Sequence, residues 1–338
     1  MSTNSGAICS LVEIQPNPTL LEVLEQLVPP REFTKARFDN YVPNANFPSQ
    51  AAALGAAGSF VAPGVLKGLF TRSKGTGYSG IYLDGGFGVG KTHLLASIWH
   101  EFTGKKAYGS FLAYTSLIGL LGFADALKHL SNYELICIDE FELDDPGDTM
   151  LMSRLLSELG AKGVRFAATS NTPPNALGEG RFAASDFARE ISAMASKFQI
   201  VSVDGDDYRH RPVDGHTPAL TESELENLST QLRSEGKNVA LDDFDKLLAH
   251  LAKVHPSKYL KLISSIDALL ISSAHVLSDQ SAALRFVSFV DRLYESRISL
   301  ASTGIGLTEV FLTEHIAGGY RKKYLRAISR IGSLTELA

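Results

Sequence analysis

The chain has 338 residues, of which 44% are hydrophobic and 20% charged, and its formal net charge is −5. These values are typical of a globular protein, and they argue against wholesale disorder, a collagen-like repeat and a bundle of membrane helices. The acidic balance argues against a basic protein that coats nucleic acid, so a nucleic-acid role would be confined to a local basic surface. Two cysteines are too few for a disulfide framework or a four-thiolate zinc site, and they fit a reducing compartment.

Neither an export signal nor a membrane span is expected from the sequence patterns. The first thirty residues contain no Lys or Arg, so the charged start of a signal peptide is missing. Residues 107–124 are charge-free and long enough to raise the question of a membrane helix. Polar residues interrupt this stretch, so we predict a buried strand followed by a helix and no transmembrane segment.

Strand and helix patterns alternate through the first two thirds of the chain. A short helix is predicted at residues 20–28, and an Ala-rich helix follows a turn-rich run at residues 38–50. Strand patterns then occur at residues 80–83, 107–112, 135–138, 164–169 and 199–203, and segments of helical length separate them. This series predicts an α/β protein with a mostly parallel sheet flanked by helices.

The alternating pattern loosens after about residue 210, which suggests a domain organisation. We predict an N-terminal extension at residues 1–35, a core domain at residues 36–212 and a C-terminal region at residues 213–338 that completes the module. The C-terminal region is expected to be mainly helical or mixed, with a final helix near residues 319–331.

A glycine-rich loop follows the first strand pattern of the core. It consists of Gly85, Gly86, Phe87, Gly88, Val89, Gly90, Lys91 and Thr92. This spacing is that of a phosphate loop, because glycines let backbone N–H groups approach phosphate oxygens at the start of a helix. In that pattern Lys91 binds the β- and γ-phosphates of ATP, and the Thr92 hydroxyl ligates Mg²⁺. The alternative is a glycine-rich turn that matches by accident.

An acidic pair ends the third strand pattern. Residues 135–138 are apolar, and Asp139 and Glu140 follow them directly. At the carboxyl end of a parallel strand, Asp139 would reach the Mg²⁺ and Glu140 could deprotonate an attacking water, as in a Walker B motif. A strand that ends in a solvated acidic turn is the alternative interpretation.

Polar residues also end the fourth strand pattern. Asn171 stands after this strand and before a Pro-Pro turn. In P-loop ATPases of the AAA+ type, a polar side chain at this point lies between the acidic strand and the γ-phosphate, where it positions water. The alternative is an Asn that simply ends a strand, which is a common use of this residue.

These motifs and other phrases, in their order along the chain, resemble the ZapE-type cell-division ATPases and their mitochondrial lactation-elevated-type relatives. Besides the glycine loop, the phrases are Tyr41-Val-Pro, Phe47-Pro-Ser-Gln50, Ile138-Asp-Glu-Phe-Glu142, Ala168-Thr-Ser-Asn-Thr-Pro-Pro174, Val203-Asp-Gly-Asp-Asp-Tyr-Arg209, Phe289-Val-Asp-Arg-Leu-Tyr-Glu-Ser-Arg297 and Tyr324-Leu-Arg-Ala-Ile-Ser-Arg330. The resemblance covers residues 30–338. It implies an AAA+-like P-loop NTPase, cytoplasmic in bacteria, that acts at the division ring on filaments of the tubulin-like division protein.

Four arginine or glutamine positions carry weaker predictions. The family has an arginine-rich phrase after the Pro-Pro turn, whereas only Arg181 and Arg189 stand in the corresponding segment of this divergent member. Arg181 is the candidate for an arginine finger that acts on a neighbouring copy in a homo-oligomer, and Arg189 is the alternative. Gln50 is a candidate contact to adenine or, alternatively, a helix cap. Arg330 either senses phosphate or belongs to a solvated basic helix face.

The leading functional prediction is Mg²⁺-dependent ATP hydrolysis coupled to the remodelling of a protein partner. The alternative is a DNA-associated ATPase that resembles a helicase loader or a transposition helper, which would need a basic surface. A small-molecule kinase is disfavoured, because Asp139 and Glu140 provide for the activation of water. The balanced charge makes a nucleic-acid partner less expected than a protein.

Overall fold

The computed structural model describes residues 6–62, 80–86, 88–142, 146–173, 177, 192–193, 195–206 and 218–336. The predicted site residues Phe87 and Arg181 lie outside these described residues, as does Arg189. The chain divides into two compact units. The first unit is Leu20–His210, and the second combines Met1–Thr19 with Arg211–Ala338.

The described elements alternate between strands and helices along most of the chain. The strands are β1 (Ile8–Cys9), β2 (Gly80–Asp84), β3 (Lys106–Ser110), β4 (Leu135–Asp139), β5 (Arg165–Ser170), β6 (Phe198–Ser202), β7 (Val239–Asp243), β8 (Ala268–Ala274) and β9 (Ser299–Gly304). The helices are α1 (Leu20–Glu25), α2 (Pro48–Val61), α3 (Lys91–Glu101), α4 (Phe111–Leu121), α5 (Phe123–Leu130), α6 (Pro146–Ala161), α7 (Glu222–Ser234), α8 (Phe244–Leu251), α9 (Tyr259–Leu262), α10 (Gln280–Ser296), α11 (Thr313–Ala317) and α12 (Arg321–Thr335).

The first unit contains a five-stranded sheet in the order β3-β4-β5-β2-β6. All of its neighbouring strands are parallel. The prediction of a parallel sheet flanked by helices is therefore confirmed, and each predicted strand of the core is a strand. Because β5 lies between β2 and β4, the ends of these three strands meet at one edge of the sheet.

Apolar clusters cover both faces of this sheet. Ile81 and Leu83 of β2 pack with α2 and α3 on one face. Tyr82, between them in sequence, packs with α4 and α6 on the opposite face. Since a strand buried on both faces has few positions for polar side chains, the polar residues collect where the strands end.

Two local predictions are tested by these elements. Residues 107–124 form most of β3, all of α4 and the start of α5, so the strand followed by a helix is confirmed. None of the helices in the described part of the chain is long and apolar enough to cross a membrane. The sequence also predicts a helix over residues 150–159, capped by Asp148 and ended by Gly160. The helix that forms there, α6, instead begins at Pro146, includes Asp148 in its first turn and continues to Ala161. An acidic side chain in the first turn interacts favourably with the helix dipole.

The second unit contains a four-stranded parallel sheet in the order β1-β7-β8-β9. Helices α8, α10 and α12 contribute to one apolar cluster on this sheet, and α7 contributes to another. The C-terminal region is therefore mixed, and its sheet includes the N-terminal strand β1. The sequence patterns predict no strand at residues 239–243 or 299–304, where Asp, Ser, Thr and Gly replace the apolar run of a typical buried strand.

Candidate functional site

The glycine loop after β2 requires backbone conformations that glycine alone adopts easily. Gly85 has φ +153°, and a Cβ there would lie 2.1 Å from the Val203 carbonyl oxygen. Gly90 has φ +94° and forms the N-cap of α3, where a Cβ would lie 2.7 Å from the Tyr41 ring. The two glycines therefore let the chain pass close to its neighbours and start α3 directly after the loop.

The Lys91 side chain folds back along the loop and is only 7% exposed. Its ammonium group donates to the backbone oxygens of Gly85 at 3.0 Å and Gly86 at 2.5 Å. It also donates to Asn171 Oδ1 at 3.0 Å, which connects the loop to the end of β5. Phosphate oxygens of a nucleotide in this loop could take the place of the backbone acceptors.

The Asp139 carboxylate, at the end of β4, accepts hydrogen bonds from several sides. Its Oδ2 accepts from the Tyr108 hydroxyl at 2.8 Å, and its Oδ1 accepts from the Thr169 hydroxyl. The Thr92 hydroxyl is 3.3 Å from Oδ1, and the Glu140 N–H is 3.2 Å from it. The pKa of Asp139 is raised, first by burial and then by the negative charge of Glu140. These two effects outweigh the hydrogen bonds to the carboxylate, which act to lower the pKa. Burial also raises the pKa of Tyr108, so this phenol remains a hydrogen-bond donor.

The oxygens of Thr92 and Asp139 could hold a Mg²⁺ ion. Magnesium prefers oxygen ligands and usually binds through one or two protein groups together with water and substrate phosphates. Across the described part of the chain, no cluster of three or more His, Cys, Asp or Glu side chains could hold a metal. The hydroxyl–carboxylate pair therefore fits a metal that arrives with a nucleotide better than a metal held by protein alone.

Glu140 lies in a backbone conformation that is uncommon for a side chain with a Cβ. Its φ is +52°, in the left-handed region, which costs about 1–2 kcal/mol per residue. Thr169 holds this bend, because its hydroxyl accepts from the Glu140 N–H at 3.1 Å and its carbonyl from the Phe141 N–H at 2.7 Å. Strained backbone of this kind concentrates at functional sites. The Glu140 carboxylate follows directly after Asp139, and a carboxylate at this point could accept a proton from water.

The fold thus brings the predicted residues of three separate motifs to one edge of the sheet. Lys91 contacts Asn171, and Thr92 contacts Asp139. Glu142 holds the segment that carries Asn171, since its Oε1 accepts from the Asn171 N–H at 3.3 Å. The described loop residues Gly85, Gly86, Gly88, Val89 and Gly90 lie at the same edge.

Sequence reasoning did not identify Tyr108 and Thr169 as site residues. Both precede the polar end of their strands, and each lies in a strand that neighbours β4. The available signal was strand alternation, which places Tyr108 on the same face as Cys137 and hence as Asp139. That signal becomes useful only once the strand order is known.

Gln50 is buried, and both ends of its side-chain amide bind protein backbone. Its Oε1 accepts from the Asn44 N–H, and its Nε2 donates to the Asp204 carbonyl, each at 2.8 Å. The amide thereby ties the loop before α2 to the segment after β6. The N-cap of α2 is Phe47, so Gln50 is not the cap. A contact of Gln50 with adenine stays a prediction.

Arg330 lies in an internal ion pair and not on a solvated face. Its guanidinium binds Asp291 Oδ1 and lies over the Tyr294 ring at 5.1 Å. Arg326 donates to the other oxygen of Asp291 at 2.8 Å. The side chains of both arginines and Asp291 are only 15% exposed. The solvated interpretation is wrong, because α12 turns these two arginines toward α10.

A family model of AFG1-like ATPases matches residues 19–220 and 213–337. The cell division protein ZapE of Escherichia coli strain K12 is 26% identical over 310 residues, which cover 79% of this chain and 81% of that protein. Lactation elevated protein 1 homolog B of Danio rerio is 25% identical over 57% of this chain and 44% of its own. The predicted resemblance to these two groups is confirmed, and the identities fit a divergent member.

Solved structures of replication proteins are similar at lower identity. Domain III of the Thermotoga maritima replication initiation protein DnaA has a TM-score of 0.40 and 18% identity, with 60% of this chain and 75% of that one covered. The AMPPCP-bound DnaA of Aquifex aeolicus also has a TM-score of 0.40, at 13% identity. The match covers 90% of this chain and 92% of the Aquifex chain.

Proposed function

The chain belongs to the AFG1-like ATPase family, and on this basis we propose that it hydrolyses ATP with Mg²⁺ and thereby remodels a protein partner. The observation that carries the proposal is the meeting of three motifs at one sheet edge. Lys91 bonds to Asn171, and Thr92 bonds to Asp139, although these residues come from distant parts of the sequence. Such convergence is expected of a phosphoryl-transfer site, where positioning and charge do most of the catalytic work.

In the proposed reaction, water attacks the γ-phosphoryl group in line with the leaving oxygen. Backbone N–H groups of the glycine loop would bind the phosphates, and Lys91 would neutralise charge on the β- and γ-phosphates. Thr92 and Asp139 would hold Mg²⁺, which when bound supplies further charge neutralisation. Glu140 would accept the proton of the attacking water, and Asn171 would orient that water.

For the partner, we propose a protein of the division apparatus, and the tubulin-like division protein is the specific candidate. The likeness to the E. coli cell division protein ZapE supports this choice, and it also supports a cytoplasmic location. We further propose that copies of the chain act together as a homo-oligomer, with Arg181 as the candidate finger on a neighbouring nucleotide.

Two variants test the proposed hydrolysis. Lys91→Ala should lose nucleotide binding, because the ammonium is the cationic group held at the loop. Glu140→Gln should bind ATP but turn over more slowly by about 10²–10⁴-fold, the usual contribution of a positioned base. Phosphate release and equilibrium binding of a fluorescent ATP analogue measure the two effects.

Glu158→Gln is the matched control for the loss of a carboxylate. Glu158 pairs with Arg154 on the exposed face of α6, so its turnover should stay within about twofold of the parent. Normal hydrolysis by both Lys91→Ala and Glu140→Gln would refute the proposal. The Glu140→Gln protein held in ATP also reports the partner, because capture of DNA instead of a protein would favour a DNA-associated ATPase.

A further inference from the structure

Tyr108 reaches the Asp139 carboxylate from the strand opposite to Thr169. Strand β4 lies between β3, which carries Tyr108, and β5, which carries Thr169. In register, Tyr108 faces Cys137, which lies two residues before Asp139 and on the same face of the sheet. Tyr108 is 2% exposed, and its hydroxyl is 2.8 Å from Asp139 Oδ2. The carboxylate is therefore held from both neighbouring strands.

The two oxygens of Asp139 have different surroundings as a result. Oδ2 accepts from Tyr108, on the side away from the glycine loop strand. Oδ1 accepts from Thr169 and lies 3.3 Å from the hydroxyl of Thr92, the residue that follows the loop lysine. A side chain held at both oxygens cannot rotate without losing a hydrogen bond, and hydrogen bonds to a charged acceptor are among the stronger ones.

We propose that Tyr108 is a positioning residue that fixes Asp139 so that Oδ1, and not Oδ2, faces the Mg²⁺ of a bound nucleotide. The inference rests on the proposed function, in which Thr92 and Asp139 hold that metal. In this role Tyr108 would contact the carboxylate and neither the metal nor the nucleotide. Its contribution is the orientation of the carboxylate, as for the outer partners of metal ligands in general.

A second buried tyrosine provides a control that distinguishes this role from a contribution to core packing. Tyr114 of α4 is fully buried, and its hydroxyl donates to the Cys137 carbonyl of the same strand β4 at 3.0 Å. Tyr114→Phe and Tyr108→Phe each remove one buried hydroxyl and one hydrogen bond to β4. Only Tyr108→Phe removes a donor to the carboxylate, so Tyr114→Phe is the matched control.

The test measures how ADP binding by the full chain depends on Mg²⁺. A fluorescent ADP analogue is bound first in EDTA and then at increasing Mg²⁺, for the parent chain and both variants. In EDTA the three proteins should bind the analogue equally. We compare the Mg²⁺ concentration that gives half of the maximal change in ADP affinity. It should rise about 10-fold or more in Tyr108→Phe, the usual range when an outer partner of a metal ligand is lost, and stay within about twofold of the parent in Tyr114→Phe.

Each other result has a defined meaning. A Tyr108→Phe protein with the Mg²⁺ dependence of the parent would overturn the role of Tyr108 while the proposed function stands. Equal shifts in the two variants would overturn it as well, because they would indicate loss of packing. If ADP binding by the parent chain does not respond to Mg²⁺, the proposed metal site fails, and the role of Tyr108 fails with it.

If Tyr108→Phe does not fold, Thr169→Val serves as the second variant, since Thr169 holds the other oxygen of the same carboxylate. Without the Thr169 hydroxyl, Asp139 should be held less firmly at Oδ1 and should show the same rise in the Mg²⁺ requirement. An unchanged requirement in a folded Thr169→Val protein would overturn the proposal, because fixation of the carboxylate would not matter for the metal.

Discussion

Both units of the molecule contain a parallel sheet with acidic residues near its carboxyl edge, but the two edges use those acids differently. In the first unit, Asp139 binds side chains from two neighbouring strands and from the glycine loop. In the second unit, Asp242 accepts from the Ser10 hydroxyl and from the backbone N–H that follows Ser10, and Asp243 caps α8 by accepting from the Lys246 N–H. The end of a parallel sheet is therefore not a site by itself. A loop that brings side chains together is also needed.

Two buried carboxylates make the same contrast. Among the described residues, Asp139 accepts from hydroxyl and backbone N–H groups, and burial with the Glu140 charge raises its pKa. Burial also acts to raise the pKa of Asp291, but the charges of Arg326 and Arg330 outweigh it and hold that pKa below its usual value. The Asp139 carboxylate is thus bound by uncharged donors, which is consistent with its proposed role as a metal ligand, whereas the Asp291 carboxylate pairs with two arginines of the fold.

The largest effect that we expect is from Asp291→Ala. Removal of this carboxylate takes away an anion that two nearly buried guanidinium groups both bind, which should lower the free energy of unfolding by about 3–5 kcal/mol. Urea denaturation measures the change. Glu158→Ala, which breaks an exposed ion pair with Arg154, should cost no more than about 1 kcal/mol.

The same variant has a defined pH dependence. A carboxyl with a lowered pKa contributes stability above its unfolded value of about 3.9, and this stability is lost as the pH falls through the folded value. The difference between the parent chain and Asp291→Ala should therefore shrink on acidification. A difference that grows toward low pH, or equal losses in Asp291→Ala and Glu158→Ala, would contradict the contrast between the two carboxylates.

A loss of stability of intermediate size is expected from a substitution in the glycine loop, the feature that distinguishes the first sheet from the second. In Gly85→Ala, the new Cβ would meet the Val203 carbonyl oxygen at 2.1 Å in a backbone conformation that alanine rarely adopts. We expect a loss of about 1–3 kcal/mol, as for overpacking elsewhere. In Gly86→Ala the nearest atom, on Val89, is 3.8 Å away, so the loss in thermal or urea unfolding should be smaller. Similar losses in both variants would be evidence against a tight approach at Gly85.

The smallest effect should come from the start of α7 in the second unit, where polar groups serve only a helix end. The Thr221 hydroxyl accepts from the Glu224 N–H, and the Glu224 carboxylate accepts from the Thr221 N–H. Thr221→Ala should cost about 1 kcal/mol in urea unfolding, because it removes half of this capping box. Thr230→Ala, on the same helix, should not destabilise, since alanine has the higher helix propensity. A larger loss from Thr230→Ala would count against the cap.

The amino-acid sequence alone predicts the five strands of the first sheet, the glycine loop and the polar residues that end β4 and β5. These features follow from local patterns, since apolar runs, glycine spacing and strand alternation involve only residues that are close together in the sequence. The same patterns did not reveal the second sheet, because β7 and β9 mix apolar residues with Asp, Ser and Thr.

The side chains that bind Asp139 become known only when the packing of the strands is seen. Tyr108 and Thr169 come from the two strands beside β4, and the order of strands in a sheet depends on long-range packing that no local pattern encodes. The placement of Arg330 against Asp291 was decided in the same way, by the contact of α12 with α10. A residue's type and its position in an element can be read along the chain, but the partner it meets depends on which elements the fold makes neighbours.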